Sequence, residues 1–158
     1  MAVTEEQVHQ WLSSGENEHL EFKRAENQFD VDKAIRHCCA LANEGGGYLV
    51  LGISDKKPRR IEGTPAFRNI NEIKHKVIEA LRLRVEIQEL HPQGKRVIVF
   101  TVPTQPLGVP LESNGKYWMR RGEDLVPMTG DMLKSIFDES TPDYSAQTCP
   151  TARWADLS

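Results

Sequence analysis

The sequence predicts an α/β domain. Three observations carry this: helical apolar spacing and strand-type alternation take turns along the chain, a nearly all-apolar run of strand length follows three consecutive glycines, and 158 residues suffice for one domain with a real core.

Val8, Trp11 and Leu12 recur at helical spacing over residues 4–12, and Thr4 with Gln7 three positions later makes a capping box, so the first element is a short helix. Ser13, Ser14 and Gly15 end it. In residues 19–23 Leu20 and Phe22 alternate with Glu21 and Lys23, which predicts a strand with one apolar and one wet face. Ala34, Ile35, Cys38, Cys39 and Leu41 predict a helix over residues 32–41, stopped by Asn43 and Gly45, Gly46 and Gly47. Residues 48–53 then read as a strand buried on both faces, broken at 55–58, with a short return strand at 59–63.

Ile70, Ile73, Val77, Ile78 and Leu81 predict a second long helix over residues 70–83. Strands at 85–90 and 96–102 flank good turn material in His91, Pro92, Gln93 and Gly94. A proline-rich edge segment at 103–111 follows, then a hairpin turn at Asn114-Gly115, a strand at 116–121 and a closing helix at 128–137. The domain is expected to span residues 1–138. Residues 139–158 form a tail that reads either as a linker to further domains absent from this chain or as a natural terminus.

A hydrophobic fraction of 39% and a charged fraction of 27% are those of a globular protein. The longest apolar runs are strand-sized, far below the roughly 18 residues needed to span a bilayer, so no membrane association is expected. The first residues carry neither a basic flank nor an apolar stretch, which points to the cytoplasm. The three cysteines show no zinc spacing, and Cys38 and Cys39 read as buried packing residues. The net charge of −3 does not announce a polyanion partner, but basic residues recur through the middle of the chain. They are either solvated faces or a phosphate-facing surface.

Glu21 and Lys23 sit two apart on one predicted strand, so both project from one face about 7 Å apart. A carboxylate there can bind a divalent cation, and the lysine can orient water or neutralise a phosphate. Glu16 and Glu18 just upstream, and Asp55 after the buried strand, are further carboxylates within reach. The plainer alternative is a surface ion pair, with Asp55 as a turn former.

The segment Gly15-Glu16-Asn17-Glu18-His19-Leu20-Glu21-Phe22-Lys23, the segment from Ala42-Asn43-Glu44-Gly45-Gly46 to Gly52-Ile53-Ser54-Asp55, and Tyr117-Trp118-Met119-Arg120-Arg121-Gly122 resemble, in order, the motifs of the Schlafen AlbA-type domain family. The resemblance covers about residues 4–138 and implies an Alba-like mixed sheet with helices packed on it. It also implies association with nucleic acid. In family members that cut transfer and ribosomal RNA, the matched positions are Glu16, Glu21 and Asp55 as ligands of Mg²⁺ or Mn²⁺, with Lys23 beside them; Glu18 is not matched. The expectation is therefore a metal-dependent endoribonuclease domain acting on structured RNA such as tRNA, as a homodimer or paired with a second similar lobe. The alternative is a non-catalytic module that binds nucleic acid or ATP and regulates a larger protein.

Lys56, Lys57, Arg59, Arg60, Tyr117, Arg120 and Arg121 are the candidate nucleic-acid contacts, combining cations with a stacking ring. Trp118 is either core or a further platform. The triple glycine lacks the Lys-Ser/Thr of a phosphate-binding loop and reads as a tight connection. The five histidines show no metal spacing and receive no role.

Overall fold

The computed structural model describes residues 2–14, 19–25, 27–54, 56, 58–121 and 124–139. The chain forms two compact units, one of Met1–Gln105 with Leu111–Pro127, the other of Pro106–Pro110 with Met128–Ser158.

The first unit is built on a mixed sheet of four strands: β1 (Leu20–Lys23), β2 (Gly47–Leu51), β3 (Glu86–Leu90) and β4 (Val97–Val102), in the order β1-β2-β4-β3. β1 runs parallel to β2, and the remaining pairs are antiparallel. Parallel neighbours need a crossover, supplied by helix α2 (Val31–Asn43). Alternation along the strands sorts their side chains into two cores. Leu49, Leu51, Ile98, Phe100 and Val102 face α2 and α3 (Ile70–Leu81), while Leu20, Phe22, Val50, Val97 and Val99 face α1 (Glu5–Ser14) through Val8 and Trp11. The fold is α/β, as predicted, with helices on both faces of the sheet.

Local chemistry sets the helix ends. Thr4 Oγ1 accepts from the Gln7 amide at 3.2 Å, Asp30 caps α2, and Asn69 Oδ1 accepts from the Glu72 amide at 3.1 Å. The glycines after α2 are spatial necessities. A Cβ on Gly46 (φ +91°) would stand 2.7 Å from the Val102 carbonyl oxygen, and one on Gly47 would stand 2.3 Å from that of His19. This is the tight connection that the sequence suggested, and it lets β2 lie directly against the start of β1.

Asn43 is the last residue of α2. Buried, its side chain accepts from the Leu111 amide at 2.8 Å and donates to the carbonyls of Leu111 at 3.0 Å and Trp118 at 2.9 Å. It thereby ties α2 to a two-stranded sheet of β5 (Trp118–Arg121) and β6 (Asp124–Pro127). The Asn114-Gly115 turn is present, bracketed by the Ser113–Lys116 bridge.

Several expectations are corrected. The return strand at 59–63 is one bridge between Ile53 and Ile61. β6 was not expected, because a four-residue strand ending in proline carries little pattern. The wet face of β1 is a buried one.

In the second unit α4 (Gly130–Phe137) is capped by Thr129, whose hydroxyl accepts from the Met132 amide at 3.3 Å. Glu139 accepts from the Gly108 amide at 3.1 Å. Among the described residues no helix is long and apolar enough to cross a membrane.

Candidate nucleic-acid interface

β1 has the predicted parity, with Leu20 and Phe22 on one face and Glu21 and Lys23 on the other. Glu21 pairs with Leu49 and Lys23 with Leu51, so the polar pair points to the side that α2 covers. Glu21 is 1% exposed. Its Oε2 lies 3.3 Å from Lys23 Nζ, and its Oε1 lies 2.8 Å from Arg120 Nη2. A buried carboxylate needs such partners, because desolvation without them costs several kcal/mol. Arg120 arrives from β5 and also donates to the Leu20 carbonyl at 3.4 Å, while its own amide donates to Glu44 Oε2 at 2.7 Å.

Lys23 is 17% exposed and forms one wall of a cavity of about 370 Å³ that also includes Lys33, Arg36 and His37 of α2, Trp118 of β5 and Asp124 of β6. His37 is buried there, and burial followed by the charges of Lys23, Lys33, Arg120 and Arg36 lowers its pKa to about 3. The imidazole is therefore neutral at physiological pH. Among the described residues its Nδ1 has no hydrogen-bond partner. Arg36 lies over the Trp118 ring at 6.0 Å from the centroid, and Lys116 at 5.5 Å. The Trp118 indole is only half-buried, held in place by an Nε1 bond to the Ser113 carbonyl at 2.9 Å.

The residues singled out from the sequence fare differently. Glu21, Lys23 and Arg120 come together as one ion-paired cluster. Arg120 sits under the surface as the counter-ion of Glu21, at 8% exposure, in place of the expected surface contact. Arg121, on the other face of β5, is exposed, and Tyr117 is half-buried. Lys56 and Arg60 are exposed, whereas Arg59 lays its guanidinium 4.9 Å from the centroid of the Phe22 ring. Glu16, Asp55 and Lys57 lie outside the described residues. Lys33, Arg36 and His37 were missed. Their i, i+3, i+4 spacing was the available signal, a polar stripe on an otherwise apolar helix.

The family model described as Schlafen, AlbA_2 matches residues 16–129. The chain belongs to the Schlafen AlbA_2 family. The fold of this AlbA_2 domain is similar to that of the DIP2311 protein of Corynebacterium diphtheriae, with a TM-score of 0.61 and 21% identity over 78% of this chain and 29% of that one. The chain thus spans under a third of that protein's length. It is also similar to the N-terminal domain of a protein from Nitrosomonas europaea named for its relation to the ATP-dependent DNA helicase RecG, with a TM-score of 0.52 and 21% identity over 82% of this chain and 95% of that one. No curated protein matches it in sequence.

The metal expected at an AlbA_2 site of the nuclease type can be tested on Glu21. Mg²⁺ sits about 2.0–2.1 Å from its oxygen ligands. Both Glu21 oxygens already face a cation, Nζ of Lys23 and Nη2 of Arg120. A divalent ion there would be pressed against two positive groups, each unit pair 4 Å apart costing about 4 kcal/mol at an effective dielectric of 20. In this arrangement Glu21 does not fit a metal ligand. Among the described residues no group of three His, Cys, Asp or Glu side chains could hold a metal ion, and Glu16 and Asp55 lie outside them.

Proposed function

We propose that this domain is a nucleic-acid-binding module of a larger protein, gripping a phosphate backbone at the cavity beside Lys23. The observation that carries the reading is the surplus of cations there. Lys23, Lys33, Arg36 and Arg120 converge on a neutral His37, against the carboxylates of Glu21 and Asp124. Glu21 neutralises part of this charge from below. Lys33 and Arg36 are left to meet an anion, and a concave basic site focuses attraction for one. Membership of the Schlafen AlbA_2 family and the likeness of fold to a RecG-related N-terminal domain support the same reading.

Metal-dependent cleavage of RNA by Glu16, Glu21 and Asp55 is the rival. It requires the Glu21 carboxylate to give up Lys23 and Arg120 for the ion.

Both readings meet in one experiment: anisotropy of labelled tRNA and duplex DNA with the domain across a salt series, and gel analysis of the same mixtures with and without Mn²⁺. The expected result is metal-independent binding that weakens steeply with salt, drops at least tenfold in Lys33→Glu with Arg36→Glu, and leaves the strands intact. Absence of binding at low salt would sink the proposal. Cleavage that needs Mn²⁺ and disappears in Glu16→Gln and Asp55→Asn would replace it with the nuclease reading.

A further inference from the structure

The cavity beside Lys23 does not stand alone along α2. A second cavity, of about 460 Å³, opens at the helix's N-terminal end between Phe29, Val31, Phe67 and Arg68. A chain of ring and cation contacts joins the two. Phe67 and Phe29 meet edge to face at 6.4 Å between centroids, and Lys33 Nζ lies 5.2 Å from the Phe29 centroid. Phe29 and His37 are 6.3 Å apart, and Arg36, one helical turn beyond Lys33, lies over Trp118. Two half-buried rings, Phe67 and Phe29, thus lead through the cations Lys33 and Arg36 to a third, Trp118, with Lys116 beyond it. At the middle of this series, the buried His37 lines the cavity beside Lys23.

We propose that this flank of α2 is a track for single-stranded nucleic acid, with Phe29 and Trp118 as stacking platforms and Lys33 and Arg36 on the phosphates. The inference rests on the nucleic-acid reading above and narrows it. A duplex keeps its bases stacked on one another and offers these rings nothing. A single strand presents its base faces, and each stacked base contributes about 1–3 kcal/mol. Phosphate contacts alone would explain Lys33 and Arg36, but not the rings beside them.

The test compares short single-stranded RNA and DNA oligomers with duplexes of the same sequence, using anisotropy on the whole chain. Variants are Phe29→Leu, Trp118→Leu, Trp118→Phe and Lys33→Glu, with Lys56→Ala plus Arg60→Ala off the track, and circular dichroism checks that each is folded. Single strands should bind at least tenfold tighter than duplex. Phe29→Leu, Trp118→Leu and Lys33→Glu should each weaken single-strand binding fivefold or more, and Trp118→Phe should retain it. Equal affinity for duplex, or single-strand binding that ignores Phe29→Leu and Lys33→Glu while the off-track variant weakens it, would overturn the track and leave the broader function standing. Failure to bind any strand would instead remove the broader function.

Discussion

Arg120 Nη2 lies 2.8 Å from Glu21 Oε1, with the two side chains 5% and 1% exposed. The pair joins β5 to β1 and leaves neither charge in contact with bulk water. Arg120→Ala should therefore destabilise the domain by about 3–5 kcal/mol, because a buried carboxylate loses a counter-ion. The combined change Glu21→Leu with Arg120→Met should lose far less than the sum of its single changes. Urea denaturation of the four proteins, arranged as a double-mutant cycle, measures this coupling; additive losses would mean that the pair contributes nothing.

His37 makes stability depend on pH. Its pKa, lowered from 6.5 to about 3 by burial and then by surrounding cations, means that the unfolded chain binds a proton the folded one refuses. Its contribution is full above pH 6.5 and is lost as pH falls towards 3. The loss should reach a few kcal/mol, and His37→Leu should flatten the slope of stability against pH between about 4 and 6.5. Guanidinium titrations at stepped pH read this directly. An unchanged slope in the variant would assign it to carboxylates.

Gly47→Ala should fail to give folded protein, since its Cβ would overlap the His19 carbonyl oxygen at 2.3 Å. Gly94→Ala has nothing within 4 Å of the added atom but a φ of +75°, so it should cost only about 1 kcal/mol. Thermal melts of the two variants separate close approach from backbone preference.

Cys38 and Cys39 should resist thiol reagents in the native state. Both are fully buried, Cys39 Sγ donates to the Leu111 carbonyl at 3.3 Å, and burial pushes its pKa up to about 11 and that of Cys38 higher still. Labelling with a chromogenic disulfide, with and without denaturant, checks it; a fast native reaction at either position would contradict the packing role.

Much of the architecture was legible because it rests on local pattern. The Thr4 capping box, the alternation of Leu20 and Phe22 with Glu21 and Lys23, and the apolar spacing of α2 and α3 all depend on residues a few positions apart. The covered state of Glu21 was not legible. Its burial comes from α2 and from Arg120 on β5, and nothing within residues 19–23 encodes either. The cationic flank of α2 was hidden for the opposite reason: Lys33 and Arg36 look like any solvated helix face until β1 and β5 bring Lys23 and Trp118 alongside. Glu16 and Asp55 remain matches of motif, since they lie outside the described residues.

The side chain of Asn43 has a consequence for how the chain tolerates change. Together with the Gln105 amide, which donates to the Ala42 carbonyl at 2.9 Å, it fastens the backbone on both sides of residues 106–110 to the last turn of α2. The polypeptide leaves and re-enters the first unit through clamps that do not depend on what lies between them. Insertions at 107–109, or a circular permutation opened there, should then leave the register of Arg120 under Glu21 intact, which makes this excursion the natural place for a tag or reporter to be grafted.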